Sequence, residues 1–95
     1  MPGCSPVVFN NVDANAWNCL KQKAIAYAQQ HNYQFGPNVP DSGQEAAMGF
    51  TATWAFDPNA QTLTITCTGH PFFFSCATIN GEIQKGIAST NCIPA

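Results

Sequence analysis

Cys67-Thr68-Gly69-His70, followed by Cys76, is where reactive side chain types crowd together in this sequence. Read as a metal site, the spacing is C-x2-H-x5-C, which supplies three of the four ligands of a structural zinc. Cys67, however, also falls on the apolar side of a strand pattern, and no second paired motif brings a fourth ligand. We therefore assign no metal and no other cofactor from the sequence. Read as a nucleophile site, Cys76 would sit at the start of a helix, where the dipole favours a thiolate, with His70 close enough in sequence to act as its base. The phenylalanine run Phe72-Phe73-Phe74 between them argues for burial, and a buried structural cysteine is inert. Neither G-x-S-x-G nor a phosphate-cradling glycine motif occurs. Among the carboxylates, Asp13, Asp57 and Glu82 have cap, turn and helix-surface roles, which leaves Asp41 and Glu45. No catalytic residue is assigned; a thiol-dependent enzyme using Cys76 and His70, and a small structural zinc domain, stand as the alternatives to a non-enzymatic reading.

The elements that would hold this cluster are organised around residues Ala46 to Thr68. Met48, Phe50, Ala52, Trp54 and Phe56 are apolar at every second position, as are Leu63, Ile65 and Cys67, which is the period of half-buried strands. Asp57-Pro58-Asn59-Ala60 between them predicts a type I turn in a four-residue loop. Symmetric closure sets Phe56 opposite Gln61, Trp54 opposite Leu63, Ala52 opposite Ile65 and Phe50 opposite Cys67. The other face then carries Thr51, Thr53, Thr62, Thr64 and Thr66 without a charge.

Before the hairpin, Asp13 is placed as an N-cap with Val12 and Trp17 as a hydrophobic staple. Trp17, Leu20, Ala24, Tyr27, Ala28 and His31 follow on one helical stripe, ending near Asn32. After it, Ser75 caps a second helix from Cys76 to about Ser89, with Phe74 and Ile79 as its staple. Ile79, Ile83 and Ile87 form the apolar stripe, and Glu82 and Lys85 an i,i+3 pair. Gly86 lies on that stripe, which suggests close approach of another backbone; nothing in the pattern explains Gly81. Val7-Val8-Phe9 allows a short leading strand. Tyr33 to Glu45 reads as a loop, with Tyr33 and Phe35 sealing the core edge.

The expected fold is therefore α+β: a small two-layer sandwich with an antiparallel β-hairpin, and room for a third N-terminal strand, packed against two helices in the order (β)-α-β-β-α. The 95 residues make a single domain.

Charged residues are only 8% of the chain, with no arginine, three Lys and a net charge of −2. Such a chain cannot neutralise a phosphate backbone, so nucleic acid is excluded as a partner. The same lack of basic residues, and of any long apolar run, argues against membrane binding or insertion. No signal peptide or transmembrane segment is visible, so the chain is expected to be soluble, and either stays in the compartment where it is made, with the cytoplasm favoured, or reaches another through a leader since removed. The five cysteines, odd in number and irregular in spacing, argue against a complete disulfide framework and for buried free thiols. An oxidising compartment would still allow one bridge tying Cys4 or Cys92 to a core cysteine.

Function is expected through contact or binding. The threonine face, Thr51, Thr53, Thr62, Thr64 and Thr66, suits self-association into a homodimer or docking of a protein partner. Trp17, Tyr27, Trp54, Phe72 and Phe74 supply more aromatic surface than so small a core needs, and are candidates for holding a small apolar ligand between helices and sheet.

Overall fold

The structure, a computed structural model, describes residues 3–30, 39–47 and 49–93. Met48, His31, Tyr33 and Phe35, which have roles in the sequence pattern, lie outside them. Among the described residues six elements follow in order: β1 (Val7–Phe9), α1 (Ala14–Gln30), β2 (Ser42–Ala47), β3 (Phe50–Asp57), β4 (Thr62–Gly69) and α2 (Cys76–Ser89). The strands form one antiparallel sheet in the order β1-β4-β3-β2. The two helices cover one face, which gives the expected small α+β sandwich with one strand more than the sequence suggests.

β4 owes its central place to the alternation of its residues. Leu63 and Cys67 are both only 2% exposed, while the alternating Thr62, Thr64 and Thr66 stay half-buried on the opposite face. Its partner β3 runs in the expected direction, but the hairpin closes one pair later than symmetric closure of Asp57 to Ala60 would give. Asp57 pairs with Thr62, Phe56 with Leu63, Trp54 with Ile65, Ala52 with Cys67 and Thr53 with Thr66. The cause is the Asp57 side chain, whose Oδ1 accepts from the backbone N–H groups of Asn59 and Ala60. That caps a loop of residues 58–61, in which Gln61 takes the left-handed conformation at φ 55°. Because the register moves by two, every side chain keeps its face. Near the far end the register breaks between Thr51 and Ala52: Thr51 pairs with Gly69 and Ala52 with Cys67, so Thr68 is the extra residue of a bulge.

β1 joins the other side of β4, with Val7 opposite Ile65 and Phe9 opposite Leu63. Val7 is buried, and Val8 points out on the threonine face at 54% exposure.

β2 corrects the reading of Tyr33 to Glu45 as a loop, since Ser42 to Ala47 pair throughout with β3. Its sequence, Ser-Gly-Gln-Glu-Ala-Ala, holds no β-branched or aromatic residue and so gives no strand signal. Gly43, which reads as a loop former, has a packing role instead. It lies opposite Trp54, and a Cβ there would sit 2.7 Å from Trp54 Cζ2. The tight turn back to β3 uses Gly49 at φ 85°, a conformation natural only to glycine.

Both helix caps form as the sequence predicts. Asp13 Oδ1 accepts from Ala16 N–H at 2.8 Å, and Val12 (0% exposed) and Trp17 (6%) enter the core together. Ser75 is the N-cap of α2, its hydroxyl accepting from Thr78 N–H. Of its expected staple, Ile79 is buried, whereas Phe74 lies against Phe50 with ring centroids 5.2 Å apart. The core gathers Val12, Ala16, Trp17, Leu20, Val39 and Leu63, with Phe56 stacked on Trp17 at 5.1 Å. Trp17 Nε1 donates to Asp41 Oδ1, and Asp41 C=O accepts from Phe56 N–H, so one residue ties α1, β3 and the start of β2 together.

The cysteines depart furthest from expectation. Two disulfides, Cys4–Cys76 and Cys19–Cys92, take up four of the five, and Cys67 alone is the buried free thiol that was expected of most. The odd count misled because the strand pattern consumes one cysteine as a small apolar residue and leaves an even set. Each bridge spans more than seventy residues, 72 and 73, and in the chain-entropy model a loop of that length is worth about 4 kcal/mol. We expect Cys19→Ser with Cys92→Ser to lower unfolding stability by about 2–4 kcal/mol in urea titrations, with native-like circular dichroism before the transition.

Candidate functional site

Where α1, α2 and the sheet meet, they leave a cavity of about 640 Å3. Three facing positions carry small residues: Ala24 on α1, Ala52 on β3 and Gly86 on α2. Larger side chains there would fill the space, so these residues create the volume. Around them Leu20, Trp54, Leu63, Ile65 and Ile87 provide an apolar lining, with Trp17 and Val39 at the core side. Lys23, Gln30, Glu45 and Ser89 also line it and are all exposed, so its charged groups lie towards solvent, while Thr53 and Thr90 in the lining are half-buried. Volume, apolar walls and a few polar groups at the mouth are the features of a small-molecule site.

The walls are held by identifiable contacts. Trp54 Nε1 donates to Pro40 C=O at 2.8 Å while its ring rests on Gly43, which sets the indole plane. Trp17 is oriented by its bond to Asp41 and its stack on Phe56. Tyr27, 59% exposed, stands at the opening on α1.

Of the five residues expected to hold a ligand, Trp17, Tyr27 and Trp54 are thus brought together. Phe72 and Phe74 are not part of the lining. Phe72 is 88% exposed and meets Phe73 edge-on, and Phe74 packs on Phe50 and Phe73. The run follows Pro71 in a turn ahead of α2, outside the layer between helices and sheet, so its rings form a surface patch. Ala24, Ala52 and Gly86 were not singled out as site residues; their signal in the sequence is a small residue on an otherwise bulky apolar stripe. No backbone approaches Gly86 closely: a Cβ added there would meet nothing within 4 Å.

The threonine face is where the alternation puts it. Thr51, Thr53, Thr62, Thr64 and Thr66 lie on the side of the sheet away from the helices, and Thr68 Oγ1 donates to Thr51 Oγ1 at 3.0 Å. Ser42, Gln44 and Ala46 continue this face onto β2.

The reactive cluster is rearranged. Cys67 points into the core, its thiol donating to Gly69 C=O, and is unavailable to the C-x2-H-x5-C arrangement. Cys4 takes its place: its sulfur, the Cys76 sulfur and a ring nitrogen of His70 all lie within 4.8 Å of one another. Cys76 is bonded to Cys4, so in this oxidised form it offers no thiolate. Asp41 is committed to Trp17, and Glu45 lines the cavity, so the two carboxylates left over in the sequence are not paired for acid–base work.

Compared with protein family models, curated proteins and solved structures, the chain matches none.

Since Gly86 sits inside α2 with open space around its Cα, Gly86→Ala is expected to raise stability by about 0.5–1 kcal/mol, read as a higher thermal midpoint.

Proposed function

We propose that this protein is a binding domain that holds a small apolar ligand in the cavity between α1, α2 and the sheet. The observation that carries this reading is the cavity itself: about 640 Å3 walled by Trp17, Trp54, Leu63, Ile65 and Ile87 in a domain of 95 residues. Dedicated ligand sites fall between roughly 300 and 1,000 Å3. An unfilled apolar space of this size forfeits the dispersion contacts its walls would otherwise make, and an apolar occupant restores them. Lys23 and Glu45 at the mouth would orient a polar end group of either charge, while the interior selects for shape and hydrocarbon.

Both tryptophans line the site, so their emission reports occupancy. Titration with naphthalene or a medium-chain alkanol is expected to give a saturable emission change at one ligand per chain. Ala24→Phe, which places a ring in the cavity, is expected to abolish it while the protein remains folded. An unsaturable response, or one unaltered by Ala24→Phe, would remove the support for this reading.

A second reading rests on a different observation, the hydroxyl-rich outer face of the sheet beside the edge strand β2, whose outward residues Ser42, Gln44 and Ala46 bear no charge. Charges on edge strands are what usually discourage pairing between copies. In this reading that face pairs with a second copy to form a homodimer, or with a protein partner of similar chemistry. Light scattering is expected to show a dimer that Thr53→Lys with Thr64→Lys converts to monomer; a monomer at high concentration in both proteins would exclude it.

Among the described residues no helix is long and apolar enough to cross a membrane. Two disulfides suit an oxidising compartment better than the cytoplasm favoured by the sequence, and we place the protein's work there.

A further inference from the structure

Three segments far apart in sequence converge at one end of the sheet. Cys4 is held beside β4 by its backbone N–H, which donates to Cys67 C=O at 2.7 Å. Cys76 is the first residue of α2, directly after the Ser75 cap, where the free N–H groups and the dipole stabilise negative charge on sulfur. His70 follows β4 and presents Nε2 to the Cys76 sulfur at 3.8 Å.

The other ring nitrogen decides what His70 can do. His70 Nδ1 lies 2.8 Å from Pro71 C=O, and a carbonyl only accepts, so Nδ1 carries the proton. In the neutral ring the lone pair is then on Nε2, directed at the two sulfurs. An imidazole anchored through Nδ1–H to a backbone carbonyl, with Nε2 facing two cysteines, is the arrangement of a metal-binding histidine.

We propose that reduction of the Cys4–Cys76 disulfide converts this corner into a site for a thiophilic divalent cation, zinc above all, with Cys4 Sγ, Cys76 Sγ and His70 Nε2 as ligands and a water in the fourth position. The conversion balances as follows. A dithiol reductant transfers two electrons to the S–S bond and becomes a disulfide itself; the Cys4 and Cys76 sulfurs take up two protons as thiols; binding of the cation releases both protons as the sulfurs become thiolates. Tetrahedral zinc, with bonds of roughly 2.3 Å to sulfur and 2.0 Å to nitrogen, spaces neighbouring ligand atoms about 3.5–3.8 Å apart. The His70–Cys76 distance of 3.8 Å is close to the nitrogen–sulfur spacing of about 3.5 Å, and all three ligand atoms lie within 4.8 Å. All three residues are half-buried, so a cation has access without crossing the core. Disulfide and metal exclude each other, which makes the site a redox-gated one, at the opposite end of α2 from Gly86 and the cavity.

Cobalt(II) is the probe, because sulfur-to-cobalt charge transfer reports thiolate ligation and the intensity of the visible bands reports four-coordination. Protein reduced with a phosphine is expected to take up one equivalent of Co2+ with both signatures, displaced by Zn2+, while oxidised protein takes up none. Cys67→Ser and the Cys19→Ser/Cys92→Ser protein should bind as wild type after reduction. His70→Ala should bind at least about tenfold more weakly, the least that loss of even an outer partner costs a metal site. Should reduction unfold the chain, the readout becomes folding: Co2+ is expected to restore the circular dichroism of reduced wild type and not of reduced His70→Ala. Reduced wild type without charge-transfer absorption or metal-dependent refolding, or His70→Ala equal to wild type, would overturn the proposal.

Discussion

The two-residue alternation of β4 is the constraint on which the rest of the molecule depends. Leu63 and Cys67 can be buried only if Thr62, Thr64 and Thr66 face away, and this decides which side of the sheet the helices cover. β1 and β3 both pair with β4, and the core cluster of Val12, Trp17 and Leu20 is assembled over Leu63. A slip of one residue would turn three threonines inward and strip the helices of their floor. The two-residue difference between the expected and observed hairpin register does no such damage, because it respects the period.

What could be read from the sequence follows the same physics. The β3–β4 hairpin, both helices with their caps, and the leading strand were legible because each carries a local signal: alternation, a helical stripe, or an Asp or Ser positioned to accept from free N–H groups. β2 was not, since it is a strand by virtue of its neighbour. Its glycine answers the Trp54 ring, a relation that exists only once β3 is in place. The cavity was half legible. Its aromatic walls at Trp17 and Trp54 stood out, but Phe72 and Phe74, equally aromatic, were assigned to it and belong to the surface, because composition does not say where a turn sends its side chains. The small residues that make the space are silent in any search for chemistry.

Both disulfides connect a terminal segment to a helix: Cys4 to the first turn of α2, and Cys92, beyond the end of α2, to α1 at Cys19. Neither lies within the sheet. The division of labour is physically sensible. The strands are held by their ladders and the buried face of β4, while the helices, which leave a cavity between themselves and the sheet, lack the continuous packing that would otherwise fix them. Covalent ties at the two ends of α2 fasten it, to the segment before β1 at one end and to α1 at the other.

The fifth cysteine has a consequence for how that covalent pattern persists. Cys4 and Cys67 are neighbours through the backbone bond between them, so a thiol sits beside a bridge it could in principle attack. Exchange requires a thiolate that can reach a sulfur, and the Cys67 side chain is sealed inside, 2% exposed, with its S–H donating to Gly69 C=O. While the strand keeps its place, shuffling is blocked at its source: the same burial that lets Cys67 serve as core also protects the connectivity of the other four.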